Sequence, residues 1–217
     1  MYKFIFCLCI CSICFGAKYD FQKVLHVSVR KAGTNIVQKC ILEIVKTLSE
    51  DIEDLLDGMT HYQRLRKNPF CFHMHFARYT EDGYAANYKG IAKIIEVPEK
   101  KIIFTIRDPR DTCLSNINYL DKYKQAFYYL KHKNISHEGW HAFNYDKKLT
   151  EAILQMGTSL EFETATKLLG ENTHNNKLLL VRFENLVGSK GRGCDKLQKA
   201  EVLKIAEFIG VELSEES

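Results

Sequence analysis

The chain has 217 residues, 46% hydrophobic and 27% charged, with three prolines and a formal net charge of +4. That length suits one domain around a single core, and the composition excludes a disordered or fibrous chain. The positive balance is spread along the sequence, so it suggests a small anionic ligand at least as readily as nucleic acid, and no nucleic-acid-binding signature is present.

Residues 1–17 come first in chain order. Lys3 precedes the uncharged stretch "FIFCLCICSICF", which ends at Gly16 and Ala17, the pattern of a secretory signal peptide. An apolar strand or helix packed on the domain is the alternative. The stretch falls short of the roughly 20 apolar residues of a membrane span, so no stable span is expected once the leader is removed. The expected division is a leader at 1–17 and one domain at 18–217, in the secretory pathway or otherwise outside the cytoplasm, and cytoplasmic if the leader stays uncleaved. Four of the eight cysteines lie in the leader; Cys40, Cys71, Cys113 and Cys194 remain. They show no CxxC spacing, so buried free thiols are expected and no metal site.

Beyond the leader, "KVLHVSV" (23–29) is short and β-branched, and Val37, Ile41, Ile44 and Leu48 then recur at helical spacing. "FCFHMHF" (70–76) alternates as a strand does, and "KIIFTI" (101–106) is a continuous apolar run suited to a buried parallel strand. Leu114, Ile117, Leu120, Phe127 and Leu130 trace a helical face. "KLLLVRF" (177–183) reads as another buried strand, and the amphipathic helix 196–210 stops at Gly210. Strands alternating with helices predict a single α/β domain with a mainly parallel sheet flanked by helices. Ligands of such sheets sit beyond the carboxyl ends of the strands.

Two strand ends carry suitable chemistry. After the first strand, "SVRKAGTNIV" (28–37) opens a helix: Gly33 permits close backbone approach, the helix N-terminus favours an anion, Lys31 adds charge, and Thr34 and Asn35 offer side-chain donors. The same residues also suit a simple capped helix start. After the third strand, Arg107 and Ser115 in "RDPRDTCLS" can face one phosphate. A surface Arg–Asp network around Pro109 is the plainer alternative.

Together these segments resemble the cytosolic-type sulfotransferase family, whose donor is 3′-phosphoadenosine 5′-phosphosulfate (PAPS), in order from about residue 22 to 213. "RKAGTNI" stands where the family has P-K-S-G-T-T-W: Lys31, Gly33 and Thr34 match, whereas Arg30, Ala32, Asn35 and Ile36 depart. "RDPRDTCLS" fits the family's R-[DN]-P-[RK]-D-x-x-x-S segment. The resemblance implies a P-loop-like architecture in which residues 31–35, Ala32 among them, hold the 5′-phosphosulfate and Arg107 and Ser115 hold the 3′-phosphate. Phe183 takes the place of a nucleoside-contacting tyrosine. His75 in "HMHF" stands for the family's general base, with His73 at its neighbouring lysine position. Residues two apart on a strand share a face.

The implied reaction is in-line sulfuryl transfer to a hydroxyl or amine, with Lys31 stabilising charge on the bridging oxygen and no metal. The acceptor is a small molecule, glycan or peptide, and residues 131–149, with Trp140, Phe143 and Tyr145, are a candidate part of its pocket. The family's C-terminal R-K-G segment is expected to be missing, with Lys190 and Arg192 as possible substitutes. A non-catalytic nucleotide- or partner-binding relative and a nucleoside-phosphate kinase are the alternatives. Oligomeric state is not legible.

Overall fold

The computed structural model describes residues 24–47, 71–80, 83–97, 100–123, 135–154, 158–172 and 174–213. The leader, Leu48, Phe127 and Leu130 lie outside the described residues. Strand β1 (Val24–Ser28) leads into α1 (Thr34–Lys46). Then follow β2 (Phe72–His75), the hairpin β3 (Ala77–Thr80) and β4 (Gly83–Ala86), and α2 (Tyr88–Ile95). β5 (Lys101–Ile106) precedes α3 (Pro109–Lys122), α4 (His137–Ala142), α5 (Tyr145–Leu154) and α6 (Thr158–Glu171). β6 (Leu178–Arg182), the single turn α7 (Phe183–Leu186) and α8 (Asp195–Ile209) complete the chain.

The main sheet is parallel throughout, in the order β2-β1-β5-β6. All five residues of β1 are buried, as expected of a central strand covered on both faces. Alternation sorts side chains between the faces. Val24 and Ile103 join Val37, Ile41, Ile205 and Ala206 under α1 and α8. Leu25, Val27, Ile102 and Phe104 pack with Ile91, Ala165 and Leu168 under α2 and α6. Because β2 and β5 flank β1 on opposite sides, the loops after β1 and β5 diverge, and the crevice between them is the switch point where such sheets bind ligands.

Several expectations change. The run 177–183 is not a central strand: β6 lies at the end of the sheet, only Val181 in it is buried, and Phe183 already begins α7. On α3 the buried stripe is Cys113, Asn116, Ile117 and Leu120, with helical spacing toward Trp140; Leu114 falls beside that stripe and is 39% exposed. The four cysteines are free, but Cys194 is exposed, since it caps the start of α8 at the surface. Burial pushes the Cys40 and Cys71 thiols up to about 11 and about 12. As expected, α8 stops at Gly210, whose left-handed φ of 88° lets Val211 N–H return to the Ala206 carbonyl at 2.9 Å. Among the described residues no helix is long and apolar enough to cross a membrane.

Candidate active site

The loop after β1 is held from three directions. Val29 N–H donates to the Thr105 carbonyl of β5 at 3.2 Å. The Arg30 N–H donates to Glu161 Oε2 of α6 at 2.6 Å, and its Nε lies 3.3 Å from Glu161 Oε1. Arg107 Nη1 donates to the Lys31 carbonyl at 3.1 Å. These ties keep Lys31 in the left-handed region at φ 61°, a conformation costing about 1–2 kcal/mol in a non-glycine residue. Helix α1 then begins with no side-chain cap and no acidic residue in its first turn. Its opening amides therefore remain suited to an external anion.

Gly33 is required here, though for a reason the sequence did not disclose. Its φ is 88°, and a Cβ would stand 2.3 Å from Cδ2 of Phe183. The ring of Phe183 thus lies directly against the loop, and the Arg107 guanidinium stacks over it, 4.3 Å from the ring centroid. Three segments distant in sequence meet in this stack. Arg107 also approaches Asp111 at 3.8 Å, and its buried Nε has no hydrogen-bond partner among the described residues. Lys31 Nζ sits 3.7 Å from the centroid of Tyr119, one helical turn after Ser115 on α3. Burial, then the nearby Arg107 charge, lowers the pKa of Lys31. Two crowded cations are a favourable setting for an anion.

The predicted site residues therefore divide. Lys31, Gly33, Arg107 and Phe183 converge, with Ser115 half-buried on the adjoining helix. Asn35 is exposed at the first turn of α1. Ala32 is fully buried in the cluster under α2 and α6, so only its main chain can serve a ligand. Trp140 is a core residue rather than pocket lining: it packs with Cys113, Ile117 and Leu120 and its Nε1 donates to Asp121 at 2.7 Å. Lys190 and Arg192 are exposed around a short 3₁₀ turn (Ser189–Gly191). Asp108 caps α3 by accepting from Arg110 N–H at 2.8 Å, and its own N–H donates to Glu184. Hydrogen bonds from Arg110 hold the Asp108 carboxyl at about 2.

Below the loop lies a polar ladder on the same face as α1. His73 and His75 do share a face, with ring centroids 4.5 Å apart and nearly perpendicular. Their link to the loop is Ser28, the last residue of β1. Ser28 Oγ lies 2.8 Å from Thr34 Oγ1, 2.9 Å from His73 Nε2 and 3.3 Å from His75 Nδ1. His75 Nδ1 is also 3.2 Å from the Ser28 carbonyl. A carbonyl only accepts, so Nδ1 carries the proton and Nε2 the lone pair. Sequence reasoning missed Ser28, Tyr119 and His26; the polar positions 26 and 28 inside an apolar strand were the available signal. His26 is fully buried, bonded through Nε2 to Thr105 Oγ1 at 2.8 Å, while its Nδ1 has no partner among the described residues.

Burial keeps all three imidazoles neutral. It lowers His73 to about 4. His75 falls to about 3, with His73 and Arg30 adding to the effect of burial. His26 lies well below the ordinary histidine range, again first through burial. The arrangement presents an anion crevice of Lys31, Arg107 and helix amides beside a neutral imidazole with a free lone pair.

Comparisons with known proteins give the chain a family. The sulfotransferase domain family matches residues 21–217. No curated protein matches the chain. Among solved structures, mouse sulfotransferase SULT7A1 complexed with PAP is 16% identical with a TM-score of 0.46, over 93% of this chain and 61% of that one. Retinol dehydratase in complex with androsterone and inactive cofactor PAP is 16% identical with a TM-score of 0.43, over 92% of this chain and 62% of that one. The chain thus spans about three fifths of the length of both. With its loop, strand ends and all of its described residues inside the family match, the chain belongs to the sulfotransferase family.

Proposed function

We propose that the protein transfers a sulfuryl group from PAPS to a hydroxyl or amine acceptor. The observation that carries this reading is the meeting of Lys31, the uncapped start of α1 and the Arg107–Phe183 stack at the switch point of the sheet, beside a histidine whose Nε2 keeps its lone pair. The residues present fit the donor: the orphaned, buried Nε of Arg107 and two neighbouring cations call for a strong acceptor. Lys31 and residues 33–35 would hold the phosphosulfate end, Arg107 and Ser115 the 3′-phosphate, and Phe183 the nucleoside.

The donor supplies an activated sulfuryl group. His75 takes the acceptor proton at Nε2 while the Ser28 carbonyl holds its Nδ1–H, so the ring neither rotates nor changes tautomer. Lys31 and the first-turn amides of α1 stabilise negative charge growing on the leaving oxygen. A bound anion also offsets Arg30 and Lys31, which depress His75 in the free protein, and so raises the basicity of His75 when the donor is in place.

A second reading, nucleotide binding without turnover, draws on the internal engagement of Thr34 with Ser28 and of Arg107 with Lys31. Family membership favours sulfuryl transfer over the kinase alternative. Placement in the secretory pathway belongs to the proposal and rests on residues 1–17; a mature N-terminus near Lys18 in the native cell supports it, and an intact Met1 in a soluble cytosolic protein counts against it. The primary test is calorimetric titration with 3′-phosphoadenosine 5′-phosphate (PAP), with ATP and AMP as controls. PAP is expected to bind most tightly, and Arg107→Ala is expected to weaken PAP about 10- to 100-fold while changing AMP little, because a charge-assisted bond contributes roughly 1.5–3 kcal/mol. Equal weakening of both nucleotides contradicts the 3′-phosphate assignment.

A further inference from the structure

A second histidine pair lies outside the crevice, on α4. That short helix is fixed locally: Ser136 Oγ accepts the Gly139 N–H at 3.0 Å. Trp140 is fully buried, and Asp121, which accepts from its Nε1, also accepts from Lys148 Nζ at 2.9 Å. With Trp140 anchored in the core, His137 and His141 stand one turn apart on a neighbouring face. His141 is exposed and His137 half-buried. Their Nε2 atoms are 3.2 Å apart, with ring centroids at 4.4 Å.

That separation is the spacing of a chelate. Two imidazole nitrogens bound to one tetrahedral ion at about 2.0–2.1 Å stand about 3.3 Å apart. The two Nε2 atoms already lie within hydrogen-bond distance of each other. Each ring binds an ion as a neutral imidazole through its Nε2 lone pair.

We propose that His137 and His141 form a surface chelate for a borderline divalent cation of the zinc, nickel or copper class, separate from the donor crevice. Imidazole suits these ions and not magnesium or calcium. The spacing H-E-x-x-H, with Glu138 second, is the helical arrangement of two zinc-binding histidines. Among the described residues no group of three His, Cys, Asp or Glu side chains can hold an ion. Among the described residues the site thus draws on the two imidazoles, and it is proposed as a binding site without an assigned hydrolytic role.

The test is calorimetric titration of the untagged full chain with zinc chloride and nickel chloride at pH 7.5, with magnesium chloride as control. One saturable zinc site is expected, absent for magnesium and weakened by about 10-fold or more in His137→Gln and in His141→Gln. Cys194→Ser, which removes an exposed competing ligand, is expected to leave affinity unchanged. No saturable zinc binding, affinity equal to wild type in either glutamine variant, or loss on Cys194→Ser overturns the proposal. Should a glutamine variant fold poorly, ring-nitrogen shifts of wild-type His137 and His141 on zinc addition decide it: movement supports the chelate, and unmoved nitrogens overturn it.

Discussion

Under α2 and α6, strands β1 and β5 present Leu25, Val27, Ile102 and Phe104, whereas under α1 and α8 the same strands present His26, Ser28 and Thr105, joined by His73 and His75 of β2. Both sets are sheltered, but their energetics differ. The apolar face gains from burial and needs no partners. The polar face needs a hydrogen bond for each group it desolvates, because an unsatisfied buried group costs about 1–3 kcal/mol. Ser28 meets much of that need by serving Thr34, His73 and His75 at once. The difference teaches that the face under α2 and α6 is apolar at these positions, whereas the face under α1 and α8 combines an apolar core around Val24 and Ile103 with a polar row in which Ser28 ties the histidines to the loop after β1.

The largest expected effect separates the faces by function. His75→Asn is expected to lower turnover roughly 10²- to 10⁴-fold, the usual contribution of a positioned base, while leaving PAP affinity near wild type. Lys31→Ala is expected to reduce both, because its ammonium serves ground state and transition state alike. Steady-state rates and calorimetry on the two variants make the check, and undiminished turnover in His75→Asn moves the base elsewhere, with His73 next in line.

On the opposite face the expected loss is of stability. Phe104 is fully buried and packs edge-on against Phe76 at 5.3 Å. Phe104→Ala is expected to cost about 3–5 kcal/mol in urea denaturation, without altering the tautomer of His75 in the fraction that remains folded.

The smallest effect concerns pH. The histidines are depressed in the folded chain, His73 to about 4 and His75 to about 3, so between those values and about 6.5 the unfolded chain binds more protons. Their contribution is then complete above about pH 6.5 and is lost as pH falls toward 4 and 3. Urea midpoints measured from pH 7 down to 4 are expected to decline, and the decline should be shallower in His73→Gln, which removes one titrating ring. An identical slope in that variant would remove His73 from the cause.

How much of this was legible depended on the range of the interactions. β5 was predicted at its observed bounds, and α8 with its glycine stop within one residue, because both follow from local patterning and from the freedom of glycine at positive φ. The elements within 77–95 and 137–171 went unassigned. Leu114 was placed on the wrong side of α3 because helical spacing fixes a period but not which stripe meets a neighbour.

In the site, the sequence alone determined the residue types at the two strand ends: a lysine, a glycine and a threonine opening one helix, an arginine and a serine around the next, and two histidines sharing a strand face. Only the tertiary structure decided their partners. It set Phe183 between Gly33 and Arg107, laid Lys31 on Tyr119, buried His26, and gave His75 the Ser28 carbonyl that fixes its tautomer. The reason is physical. Composition and period are properties of short segments, whereas desolvation, ring stacking and hydrogen-bond direction depend on side chains that the parallel crossovers bring together from 45 to 150 residues apart, as Ser28 with His73 and Gly33 with Phe183.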